Sequence, residues 1–309
     1  MARDVEQFID RARAQINHGN LAAAIESLRQ ALSADPDHSG AHALLALCLH
    51  DERRLHAAEH EAQLAVSLDP DSGLAHYAAA MVAMAKRDFA RAEEHLRRAI
   101  ALQPQHTHSL LGLARLYQLW NRPREALPLL EKARELAPDD ADTWAALGDY
   151  YKSQRDFERA EQFAHEGLRL NPENTEALLV MGEVLLHRGD TAAAREHALL
   201  VLRQNANHEG GVHLLTAVKA RESPVLGLWW RFNAFFGGGS IMRRVVMLLG
   251  IYLVYRVGVL VAGDLRHLAL QAILAITWIG FCIYTWVGPA LFQKLIKREL
   301  EPATLHSKY

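Results

Sequence analysis

Small apolar residues return through residues 5–207 on a single 34-residue register. One slot reads Ala12, Ala46, Ala80, Ala114, Gly148 and Gly182. A second reads Ala24, Ala58, Ala92, Ala126, Ala160 and Ala194. A third holds Ala31, Ala65, Ala99, Ala133 and Gly167, then departs to Val201. Leu28, Leu96 and Leu130 fill a large apolar slot. Prolines punctuate at the same spacing, at Pro36, Pro70, Pro104, Pro138 and Pro172, with Ala206 in the sixth place. Small side chains are needed where two paired helices approach most closely. Proline closes the second helix of each pair, because its ring fixes φ and disfavours helix in the residue before it. The pattern predicts six two-helix units over residues 1–207. A further amphipathic stretch within 208–222, with Val212, Leu215 and Val218, predicts a helix that caps the last apolar face.

After Ser223-Pro224 the pattern changes. Val245–Ala262 is eighteen residues with one charge, Arg256, and Leu268–Phe292 is twenty-five residues with none. A helix needs about 20 apolar residues to cross the hydrocarbon core. The second run meets that length. The first gains from Ile241 and Met242 if Arg243 and Arg244 snorkel to the headgroups. Only Gly263–His267 separates the runs, so 241–309 is predicted to hold a tight antiparallel transmembrane hairpin and a short basic tail. Residues 223–240 are read as an interface segment and glycine hinge. Trp229, Trp230, Phe232, Phe235 and Phe236 resemble a membrane-interface belt, and Gly237–Gly239 forms the joint. Arg256 lies about 9 Å from the end of its run at 1.5 Å per residue. It is read as a snorkelling or internally bonded charge in preference to an ion contact.

Charge sharpens this division. Residues through Glu222 carry 25 Lys and Arg against 33 Asp and Glu, and the remainder carries 9 against 3. An acidic body repels phosphate, so nucleic acid is not an expected partner. A basic tail suits anionic lipid. Arg231, Arg243 and Arg244 precede the first run, and Lys294, Lys297, Arg298 and Lys308 follow the second. The excess of positive charge places both termini and the repeats on the cytoplasmic side of a membrane, with a bacterial inner membrane as the expected setting. The two cysteines, Cys48 and Cys282, form no disulfide framework. The charged start, Met1-Ala2-Arg3-Asp4, leads into no apolar signal-peptide core.

The fifth unit reads Trp144, Leu147, Gly148 and Tyr151, then Asp156-Phe157, Ala160 and Pro172. At a period of 34 this resembles the tetratricopeptide repeat (TPR). The first unit matches least, with Phe8 and Gln15 at its aromatic slots. The resemblance implies an all-α, right-handed helical solenoid of six repeats plus a capping helix, here followed by the membrane hairpin. It also implies an extended concave surface that holds peptide segments or partner domains. First helices line that groove in the family. The corresponding face here carries Ile9, Arg13 and Ile16, then Ala43, Leu47 and His50, then Tyr77, Met81 and Met84. It continues with Leu111, Arg115 and Gln118, then Ala145, Asp149 and Lys152, then Leu179, Glu183 and Leu186. Leu47, Tyr77, Met81, Met84 and Leu111 are expected to take an apolar segment, with Arg115 and Lys152 catching acidic residues beside it. Chaperone-binding members grip a terminal carboxylate with Lys, Asn and Arg, and the matching places here are Ile9, Arg13 and Leu44, so that clamp is largely missing.

Candidate chemistry is sparse. His56-Ala57-Ala58-Glu59-His60 matches an inverted zinc-protease pattern, but Ala58 is the repeat's own small residue and no third ligand is placed. Seventeen histidines include His38, His106 and His208 in one turn slot, and His42 and His76 in one first-helix slot. Stacked repeats could bring the latter two close, allowing a metal or a pH response, but polar filler in an alanine-rich repeat is the preferred reading. No phosphate loop, dinucleotide fingerprint or nucleophile elbow occurs, so no catalytic residue, cofactor or metal is expected. The sequence predicts a membrane-anchored scaffold for a protein or peptide partner, with self-association open. The alternatives are a transporter or channel subunit with regulatory repeats and, remotely, a zinc protease.

Overall fold

The computed structural model describes residues 2–206, 208–222, 241–264, 269 and 271–280. All secondary structure among them is helical. The chain divides into two compact units, Met1–Ala177 and Leu178–Tyr309.

The first unit contains five helix pairs. They are α1 Ala2–Asn17 with α2 Leu21–Ala34, α3 Ser39–Asp51 with α4 Leu55–Leu68, and α5 Gly73–Ala85 with α6 Phe89–Leu102. The remaining two are α7 Thr107–Leu119 with α8 Pro123–Leu136, and α9 Ala141–Ser153 with α10 Phe157–Leu170. Each second helix ends two residues before its proline, with Asp35, Asp69, Gln103, Ala137 or Asn171 as C-cap. The small-residue slots are packed shut. Ala12, Ala46, Ala80, Ala114, Ala24, Ala58, Ala92, Ala126 and Ala160 are all fully buried. At Gly167 an added Cβ would lie 3.3 Å from the Ala141 carbonyl and the Ala177 Cβ, so this slot tolerates little more than hydrogen. Leu28, Leu96 and Leu130 are fully buried between the helices of their pairs, each contributing about 2–3 kcal/mol of apolar burial.

The turn inside each pair carries a feature that periodicity does not announce. Gly19, Arg53, Arg87, Asn121, Arg155 and Gly189 stand 34 residues apart and all have positive φ, between +59° and +95°. Each closes its first helix in the left-handed conformation, and the next residue's N–H bonds five residues back, as in Asp88 N to Ala83 O at 2.9 Å.

The histidines of the inter-repeat turn prove structural. His38 Nδ1 accepts from Ala41 N, and His208 Nδ1 from Gly211 N, so both act as helix N-caps. Ser72, Asp140 and Asn174 hold the same place in other repeats.

The second unit contains most of α11 Thr175–Arg188, then α12 Thr191–Gln204, α13 Glu209–Glu222 and α14 Ile241–Asp264. The expected cap helix is α13. It packs on α12 and buries Leu214, Leu215 and Val218, while Val212 is only half-buried. A Cβ on Gly182 would collide with Leu214 Cδ2, so α13 seats directly on the sixth small slot.

Residues 271–280 are helical and run antiparallel to α14. Tyr255 stacks on Trp278 at 4.6 Å, the space above Gly258 faces Leu274, and Gln271 Nε2 donates to Val259 O. Among the described residues no helix is long and apolar enough to cross a membrane. Side chains of α14 are described at 250 and 252–262 only, and the predicted 268–292 run only at 269 and 271–280. The aromatic segment with Trp229, Trp230, Phe232, Phe235 and Phe236, the glycine joint and the basic tail lie outside the described residues.

Candidate functional site

A cavity of about 250 Å³ opens along the first helices of the third, fourth and fifth repeats. Helix α5 supplies Tyr77 and Met81, α7 supplies Leu111, Gly112 and Arg115, and α9 supplies Asp142, Ala146 and Asp149. These residues share one face because helix positions three or four apart lie above one another. Gly112 lets Met81 and Leu96 close over the floor: a Cβ there would sit 3.0 Å from Met81 Cε and 3.1 Å from Leu96 Cδ2. His108 stands at the mouth, and Glu176, at the start of α11, closes the far end.

Of the seven predicted groove residues, Tyr77, Met81, Leu111 and Arg115 come together around this cavity. Leu47 and Met84 do not, and instead pack against the buried cores beneath them. Ile9, Ala43 and Ala145, placed on the same face by the sequence, are buried outright. The face is wider than its open part, because neighbouring first helices cover one another. Lys152 is not available as a free cation, since its Nζ lies 2.8 Å from Asp149 Oδ1. The places of the carboxylate clamp hold buried Ile9 and Leu44, with Arg13 paired to Asp10, so no cationic grip forms.

The electrostatics of the cavity differ from the expected cationic rim. Its wall carries Asp142, Asp149 and Glu176 against Arg115. Asp142 accepts from Asn174 Nδ2 at 2.6 Å, which fixes the carboxylate in place. Burial, with Asp51 adding to it, pushes the Tyr77 hydroxyl above its ordinary range and keeps it a neutral donor. Asp142, Glu176 and His108 escaped the sequence reading because each stands at the start of its helix, one turn before the first position read on that face. Their signal was a polar residue within the first two turns of a first helix.

Other candidate chemistry resolves into structure. Glu59 of the zinc-like motif accepts from Lys86 Nζ at 2.6 Å, and His56 and His60 are exposed. Among the described residues no group of three or more His, Cys, Asp or Glu could hold a metal. His42 and His76 do not meet each other; each bonds inside its own repeat, to Glu61 and His95. Burial pushes the Cys48 thiol up to about 11, so it behaves as a small apolar residue.

Models of the tetratricopeptide repeat match residues 9–73, 83–150 and 151–218. A curated relative, the DnaJ homolog subfamily C member 7 homolog of Schizosaccharomyces pombe, is 37% identical over 73 residues. That match takes in 23% of this chain and spans 15% of the relative's length. Among solved structures, the APC/C hetero-tetramer Cut9-Hcn1 superposes with a TM-score of 0.57 at 19% identity, over 70% of this chain and 43% of that one. TTC0263, a thermophilic TPR protein of Thermus thermophilus, gives 0.55 at 18% identity, over 59% of this chain and 99% of that one. Likeness at such identity speaks to the fold, and it agrees with the repeat models and with the six left-handed turns in step. The chain belongs to the tetratricopeptide-repeat family.

Proposed function

We propose that this protein is a membrane-anchored adaptor that holds an apolar segment of a protein partner in the cavity between α5, α7 and α9. The observation that carries the binding part is the half-buried apolar wall of Tyr77, Met81, Leu111 and Ala146 around the cavity, whereas Ile9, Ala43, Ala145 and Leu179, at the slot of Tyr77 and Leu111 in other repeats, are buried. Methionine and a large aromatic adapt to varied apolar ligands at low cost. The wall's charge modifies the expected ligand. An acidic partner residue finds Arg115, but one placed toward Asp142 and Glu176 is repelled. A basic or neutral residue therefore flanks the apolar anchor at that end.

Anchoring is supported by the apolar runs of the sequence and by the outer surface of the hairpin. Leu253, Val254, Val257, Leu260, Ile273, Ile276 and Ile279 are between 55% and 74% exposed. So many exposed large apolar side chains in one helix pair are rarely left to water. Positive charge at both flanks orients the termini and repeats to the cytoplasm, so alkaline phosphatase fused after Tyr309 is expected to be inactive. Arg256 faces outward on this hairpin, six residues from Ala262, and reaches the headgroups by snorkelling.

A photo-crosslinking residue at Leu111, in the full chain in its own membranes, tests the groove. It should trap a protein, and Tyr77→Glu with Met81→Glu should abolish the adduct while leaving helicity unchanged. An adduct that persists in the double variant sinks the groove assignment.

A further inference from the structure

Three repeats of the first unit place a ring N–H at one slot of the first helix. Each donates it to the carbonyl of the proline six residues earlier. The bonds are His42 Nε2 to Pro36 O at 2.8 Å, His76 Nε2 to Pro70 O at 3.0 Å and Trp144 Nε1 to Pro138 O at 2.7 Å. A carbonyl only accepts, so the nitrogen facing it must carry hydrogen. That choice of tautomer fixes what each histidine's Nδ1 can do.

In all three repeats the rest of the ring faces the residue 19 positions on, in the second helix. Trp144 meets the ring of Phe163 at 5.9 Å, a contact with nothing to titrate. His42 Nδ1 meets Glu61 Oε2 at 2.6 Å. There the ring faces a carboxylate, which accepts only, and not a second imidazole. His76 Nδ1 meets His95 Nδ1 at 2.9 Å. With both rings neutral, His95 donates to His76. One added proton is accommodated by reversing the bond. A second leaves two N–H groups and two positive charges opposed across the same gap.

The surroundings weigh against that second proton. Burial first, then the charges of His76 and Arg91, hold His95 below the ordinary histidine range, and Glu94 opposes them. The other charged groups nearby are committed. Arg97 bonds Glu93 and Tyr117 of α7, and Arg98 bonds Asp71 in the turn before α5. On α4, Glu59 serves Lys86 and Arg91, and Glu61 serves His42. At the start of α7, His106 bonds Ser109 and touches Tyr77.

We infer that His76–His95 is an acid-sensitive lock between α5 and α6, and that no such lock exists one repeat earlier, where His42 faces Glu61. The sign follows from the direction at His95. A histidine held below its unfolded value near 6.5 lends stability that is present above that pH and lost as pH falls through it. Helix α5 also carries Tyr77 and Met81, so opening the lock alters the cavity wall. That consequence rests on the proposed groove, whereas the following experiment tests the lock alone.

Amide hydrogen exchange is measured on the full chain in detergent from pH 7.5 to 5.5, corrected for the intrinsic rate. Protection over residues 73–102 should fall as the pH drops, while residues 39–68 keep theirs. His95→Glu rebuilds the His42–Glu61 arrangement and should remove the fall. His95→Gln, whose amide donates to a neutral His76 and accepts from a protonated one, should flatten the profile as well. Flat protection in the unaltered chain, a fall that survives both variants, or an equal fall across all repeats overturns the inference.

Discussion

The repeats and the α14 hairpin are built from the same kind of helix with opposite accounts of where apolar surface goes. In the repeats, small and branched residues face inward and the outer positions are charged. In the hairpin, the inner seam holds Tyr255, Gly258 and Ala262, while Leu253, Val254, Val257 and Leu260 face out. A helix pair that exposes its apolar residues and buries small and aromatic ones is what the proposed membrane setting requires, since helices in lipid associate by close packing and not by the hydrophobic effect. The contrast teaches that helical pattern alone says little about surroundings. What discriminates is which side of the helix the apolar residues occupy once a neighbour is in place.

The largest test of this contrast truncates one leucine from each region. Leu96→Ala, at a fully buried site, should destabilise the repeats by about 2–5 kcal/mol. Leu253→Ala, 59% exposed, should shift denaturation of the full chain in detergent by no more than about 0.5 kcal/mol. Equal losses at the two sites would erase the distinction.

Charge in the outer face of the hairpin probes what covers it. Val257→Asp should weaken membrane retention by about 3 kcal/mol, read as release of the chain from carbonate-washed membranes, with repeat stability unchanged. If retention is unaltered and the repeats unfold instead, the face is covered by protein.

The smallest effect belongs to the repeat turns. Arg87 adopts φ of +62° where Gly19 and Gly189 adopt theirs without steric cost. Arg87→Gly should raise repeat stability by about 0.5 kcal/mol in urea titration. The same substitution at exposed Arg91, inside helix α6, should lower it by about 1 kcal/mol.

Much of the repeat architecture was legible because its cause is local and periodic. Ala58 must be small wherever the second helix falls, and Pro70 must end a helix whatever surrounds it. The six left-handed turns were not legible, since Arg53, Arg87 and Arg155 are side chains that seldom take that conformation. Closure of one helix against the next imposes it. The candidate site was read in part. Tyr77, Met81, Leu111 and Arg115 followed from the face of the first helix, whereas Leu47 and Met84 share that face and lie outside the cavity. Lys152 lost its predicted role to Asp149, three residues away, a pairing that its spacing already permitted.

By itself the sequence determined the repeat length, the helix pairs, their proline-marked ends, the cap and the apolar runs beyond Pro224. Each follows from backbone sterics or from a hydrophobic period, and both act over a few turns of chain. Only the tertiary structure decided which groove positions stay open, which carboxylates reach the cavity and which partner each slot histidine meets. Those outcomes depend on how closely helices from successive repeats approach. That distance is set by the summed volumes of residues tens of positions apart, which no local period encodes.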